Sequence, residues 1–170
     1  TRNLSTLNQP LKSRSSMVMA CSINDKETVE EQIRLGYDFT LREYQGYGPL
    51  FYASIGGHHH LISILVQAKA NIEEKSHDGH TPLMSAIKHK RINAIHELIQ
   101  RNADINTNSE FGFTPLMYAA QRCSITAVQL LINAKADTES TDSEGKNALK
   151  ITQEIIKNVQ QDNFSIVNKL

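Results

Sequence analysis

The 170-residue sequence has no tryptophan, two cysteines, four prolines and no net charge, with 18 Lys and Arg against 18 Asp and Glu. Each scarcity excludes something. Two cysteines, Cys21 and Cys123, make neither a disulfide framework nor a zinc set, and they point to a reducing, intracellular compartment, cytoplasmic or nuclear. A balanced charge supplies no field to draw the chain onto nucleic acid or an anionic membrane. The longest purely apolar run, LISILV, falls far short of the ~18 residues of a membrane span, so no membrane insertion is expected. No phosphate-cradling glycine loop, no G-x-S-x-G and no H-E-x-x-H occurs. Neither catalysis nor a cofactor is therefore expected, and the acidic run EEKSHD reads as a solvated turn.

What is present is a period. HDGHTPLMSA (77–86) and EFGFTPLMYA (110–119) lie 33 residues apart, and the same step reaches YQGYGPLFYA (44–53) and SEGKNALKIT (143–152). One apolar column holds Met17, Leu50, Leu83, Leu116 and Leu149. Three residues on come Ala20, Ala53, Ala86, Ala119 and Thr152. A turn glycine recurs at Gly46, Gly79, Gly112 and Gly145, and Ala70, Ala103 and Ala136 form a later column.

Each column has a physical reason. Asp78-Gly79 marks a tight turn, because glycine takes positive φ without steric cost. Thr81-Pro82 and Thr114-Pro115 start helices: threonine caps free N–H groups, and proline suits the first helical position. Leu83 and Ala86 share a helix face, and the small alanine lets the next helix approach. Ile95, Leu98 and Ile99 form the stripe of a second helix. One unit is thus turn, helix, turn, helix, and it buries its stripe only by stacking on its neighbours.

The pattern resembles the ankyrin repeat over residues 15 to 170, in period, T-P-L motif and second-helix stripe. The resemblance implies an all-α solenoid of stacked helix-turn-helix units with short β-turn or hairpin tips, a monomer on its own and without a disulfide. The units are expected at 15–42 (a cap), 43–75, 76–108, 109–141 and 142–170, behind a polar tail at 1–14. The last unit lacks T-P-L. Its first helix starts near Asn147 and runs on before SIVNKL resumes the second-helix pattern; it reads as a C-terminal cap or as a unit cut short by the end of the sequence. The family's histidine after T-P-L is Phe51, Met84 or Met117 here. The family's glycine near the end of the second helix is Gly36 in the first unit but Lys69, Asn102 and Lys135 in the next three.

The stretch GGHHHLISIL (57–66) invites a metal reading for His58, His59 and His60. In the repeat frame Gly57-His58 falls at the turn between helices and His59-His60 opens the second helix, while the corresponding residues of other units carry no ligand set. His77, His80 and His89 do not share one ion either. His80 and His89 are separated by about 13 Å at 1.5 Å per helical residue, against ligand distances of about 2 Å for zinc. They read as polar residues facing a partner.

By resemblance, such domains bind proteins through the turn tips and the concave side of the first helices. This maps to Tyr44, Gln45 and Tyr47; His77, Asp78 and His80; Glu110, Phe111 and Phe113 at the tips; and to Lys88, His89, Gln121 and Arg122 on the helices. Tyr44, Tyr47, Phe111 and Phe113 either anchor a partner, as aromatics often do, or fold back onto neighbouring tips. Asn106 resembles the position modified by the asparaginyl hydroxylase that acts on ankyrin repeats, with Leu98 eight residues before it and Asp104-Ile105 adjacent. The expected function is binding of a partner protein. The alternatives are a targeting or regulatory part of a longer enzyme or channel, or an inhibitor that blocks an active site.

Overall fold

The computed structural model of the protein describes residues 14–42 and 45–167. Among these, nine helices follow in order: α1 (Arg14–Ile23), α2 (Lys26–Arg34), α3 (Pro49–Gly56), α4 (His59–Gln67), α5 (Pro82–Lys88), α6 (Ile92–Gln100), α7 (Pro115–Gln121), α8 (Ile125–Asn133) and α9 (Ala148–Val167). No strand occurs among the described residues. First helices stack in one layer (α1, α3, α5, α7, α9) and second helices in another (α2, α4, α6, α8), with the main hydrophobic core between the layers and a smaller cluster of Met117, Ala120 and Ile151 between α7 and α9. This is the all-helical repeat solenoid that the period predicts. Arg14 opens α1, and the rest of the expected tail lies outside the described residues.

The helix starts follow their chemistry. Thr81 and Thr114 accept hydrogen bonds from the Met84 and Met117 N–H groups, with proline next in the chain. Gly48, at the same place before α3, has no side chain to do this. The Phe51 N–H donates to the Gly48 carbonyl at 3.1 Å. The buried carboxylate of Glu74, from the linker to the next unit, lies against this helix start and pairs with Arg42 at 3.0 Å. A Cβ at residue 48 would stand 2.7 Å from Glu74 Oε2, so the glycine makes room for that carboxylate. Burial nevertheless pushes the Glu74 carboxyl up to about 7, against the pull of Arg42 and the Phe51 N–H.

Three left-handed positions recur in register. Asn24, Gly57, Lys90 and Cys123 turn the chain between the two helices of a unit, with φ of 63°, 83°, 54° and 51°. Gly36, Lys69, Asn102 and Lys135 end the second helices, with φ between 63° and 78°. The tip glycines complete the set. Tips are then tied to one another through the backbone: the N–H groups of His77, Glu110 and Ser143 donate to the carbonyls of Gln45, Asp78 and Phe111.

The core columns are buried as the period requires. Met17, Leu50, Leu83 and Leu116 are at most 4% exposed, and Phe51, Met84 and Met117 are equally enclosed, so apolar contact fills the place of the family's histidine. The last unit departs from expectation. Leu149 continues the apolar column yet is 63% exposed, because no second helix covers it. α9 runs unbroken to Val167 rather than turning back before SIVNKL. The residue one period beyond Cys123 is Ile156, and a β-branched side chain strongly resists the left-handed conformation that the turn needs.

Candidate functional site

Each first helix hands its tip the turn that precedes it. In units three and four the turns are built on Ser76 and Ser109, buried side chains whose hydroxyls accept from the His80 and Phe113 N–H groups. The turns project His77, Asp78, Glu110 and Phe111 into solvent. Gln45 is exposed on the preceding tip, while Tyr44 lies outside the described residues. Phe111 is 62% exposed, the one fully presented aromatic among the described tip residues.

The other aromatics fold back. Tyr47 is half-buried and stacks on Phe51 with ring centroids 4.8 Å apart. Burial, helped by the nearby Asp78 charge, raises its phenol above the usual range. Phe113 is half-buried, packs against the core, and lies 5.1 Å from the Tyr118 ring. Both therefore belong to the stack, with only an edge left for a partner.

His80 is corrected outright. It is 7% exposed, and its Nε2 shares a 2.7 Å hydrogen bond with the Tyr118 hydroxyl, which in turn reaches Ser109 Oγ at 3.4 Å. Burial, with Lys88 adding to it and Asp78 opposing, lowers its affinity for a proton. His80 thus bridges units three and four and does not face a partner. The sequence held no sign of this, because the residues one or two whole periods from Tyr118 are Tyr52, Ser85 and Ile151 and make no common column.

On the helices, Gln121 and Arg122 are exposed at the end of α7. Lys88 is half-buried with its Nζ 5.7 Å from the Tyr118 ring centroid, and the exposed His89 bonds through Nδ1 to the Ser85 carbonyl. The tips thus present Gln45, His77, Asp78, Glu110 and Phe111, while the far ends of α5 and α7 present Lys88, His89, Gln121 and Arg122. These residues are polar, with one aromatic projection. No group of three or more His, Cys, Asp or Glu side chains among the described residues could hold a metal ion.

His58, His59 and His60 sit where the frame puts them: His58 caps α4, and His59 and His60 open it. His58 Nε2 lies 3.1 Å from the Ser22 carbonyl of the preceding unit. Asn106 is exposed; its Oδ1 accepts from the Asp137 N–H in the next unit, as Glu73 Oε1 does from the Asp104 N–H. The cysteines are free. Cys21 is buried, which pushes its thiol up to about 12, whereas Cys123 is exposed. No described helix is long and apolar enough to cross a membrane.

The family model for ankyrin repeats matches three copies, over residues 17–109 and 94–153. A search of curated proteins finds no significant match.

Proposed function

The chain belongs to the ankyrin repeat family, and from that premise we propose that it is an intracellular protein–protein interaction module without catalysis of its own. The partner lies along the concave side of units two to four. The observation that carries this reading is Phe111, a large aromatic 62% exposed on a tip whose backbone is tied to its neighbours. An apolar ring held in water by a fixed scaffold gains from being covered.

The test is affinity capture with the wild type beside Phe111→Ala. The side chain is exposed, so the variant is expected to melt within a few degrees of the wild type. Loss of an anchor at an interface costs about 2 kcal/mol or more, roughly thirtyfold in affinity, so capture should be lost. Capture by the variant at wild-type level would contradict the tip reading. Tyr47 and Phe113 are unsuited to this test, because truncating either also removes a ring from the stack.

A further inference from the structure

Zero net charge conceals a sharp segregation. Residues 49–72, 79–96 and 111–136 contain no Asp or Glu at all, yet hold six of the 18 Lys and Arg and six of the seven histidines. Of the described acids of units two to four, Glu73, Glu74, Asp78, Asp104, Glu110, Asp137 and Glu139 lie at the tips and the linkers leading to them, and Glu97, on α6, pairs with Arg101. The opposite edge of the solenoid is formed by the turns between first and second helices. There lie His58, His59 and His60 in unit two, Lys88, His89, Lys90 and Arg91 in unit three, and Arg122 in unit four.

What sets the edge apart is that its cations cluster and that, among the described residues, no carboxylate neutralises them; elsewhere five cations are held in ion pairs. Lys26, Arg34, Arg42, Arg101 and Lys146 each pair with a carboxylate. Among the described residues, none of Lys88, Lys90, Arg91 and Arg122 has such a partner. The two helices of a unit run antiparallel, so their dipoles oppose each other at this edge, and the side chains set its sign. The acidic tips lie beyond the length of a first helix, about 10 Å for seven residues. That exceeds the Debye length of about 8 Å at physiological salt. A ligand on the edge therefore meets positive charge with the tips largely screened.

The edge is also shaped. A shallow hollow of about 290 Å³ lies between the turns of units two and three, lined by Gly56, Gly57, Lys90, Arg91, Ile92 and Asn93. Arg91 floors it: its Nε donates to the Ile55 carbonyl at 2.8 Å, and its Cδ would stand 3.0 Å from a Cβ on Gly57. The bare glycine leaves room for the Arg91 side chain, and the Ile55 carbonyl holds its guanidinium.

We propose that this cationic edge is a second docking surface, for an extended acidic peptide segment of a protein partner seated on the hollow between units two and three. Helices of adjacent units stack about 10 Å apart and an extended peptide advances about 3.3 Å per residue, so a carboxylate at every third position meets one unit after another. Polyanions of other kinds fit less well. The turns place no Phe, Tyr or Trp on the edge, hence no platform for single-stranded bases. Four Lys and Arg are fewer than the phosphate contacts, roughly 6–10, on which strong duplex binding rests.

The probe is a fluorescein-labelled peptide of about a dozen residues with glutamate at every third position, its glutamine counterpart serving as control. Saturable binding is expected at low salt and should weaken as salt is raised. Lys90→Glu/Asn93→Glu reverses the charge of the hollow at two exposed positions and should raise Kd at least about tenfold, a loss of roughly 1.4 kcal/mol, with an unchanged melting temperature. Lys90→Arg should bind as the wild type. Phe111→Ala should leave this binding intact, which separates it from the tip surface. Equal affinity in the double variant, no saturable binding, or tighter binding to phosphatidylserine vesicles or duplex DNA than to the peptide would overturn the proposal.

Discussion

At the scale of single residues, the chain tolerates strain where its family uses glycine. Lys69 and Lys135 hold φ of 72° and 67° at the ends of α4 and α8, where a Cβ crowds the following carbonyl. Lys69→Gly and Lys135→Gly should each stabilise by about 0.5–1 kcal/mol, a rise of roughly 1–4 °C in Tm for a domain of this size; a fall in both would contradict the strain argument. Glu74 makes a pH prediction. Its carboxyl goes from an ordinary value of 4.5 to about 7 on folding. The folded state thus favours the protonated form, and the stabilisation this brings is complete below pH 4.5 and lost as pH rises through 7. Glu74→Gln cannot titrate. The decline in Tm between about pH 5 and pH 8 should be shallower in the variant, and identical slopes would mean that Arg42 and the Phe51 N–H compensate fully for burial.

At the scale of elements, the same column residue carries different weight according to what stacks on it. Leu83 is 1% exposed and Leu149 63%. Leu83→Ala should cost about 2–5 kcal/mol through the cavity it leaves, whereas Leu149→Ala should stay within about 0.5 kcal/mol. Comparable losses, read from denaturant midpoints, would mean that the last unit is covered as the inner ones are. The contrast also marks where sequence patterning stops informing. A period reports which face of a helix is apolar, and it correctly places Thr81, Thr114, the alanine columns and the stripe of Ile95 and Leu98. It does not report whether a neighbour is there to bury that face. The missing T-P-L marked the last unit as atypical, but that its helix does not turn back was legible only in Ile156, a residue whose significance lies in the φ it resists.

At the scale of the whole molecule, the fold emerges from columns while the surface emerges from departures from them. Phe111 and Phe113 look alike in the sequence, two residues apart on one tip, yet one projects and the other packs against Tyr118. His77 and His80 divide in the same way across Gly79, one into solvent and one into the seam between units three and four. Each of these turns projects its first two residues and folds the one after its glycine back, and composition carries no trace of that. Charge behaves likewise: a sum of zero excludes a long-range field but hides an acid-rich row of tips and a cationic edge at opposite ends of the first helices. The central claim is that a protein partner covers the tips and the concave side. Hydrogen–deuterium exchange on the complex recovered by affinity capture tests it most directly. The account predicts new protection at residues 77–79, 110–112 and 120–123, with α9 unchanged; protection confined to α8 and α9, with the tips exchanging as in the free chain, would contradict it.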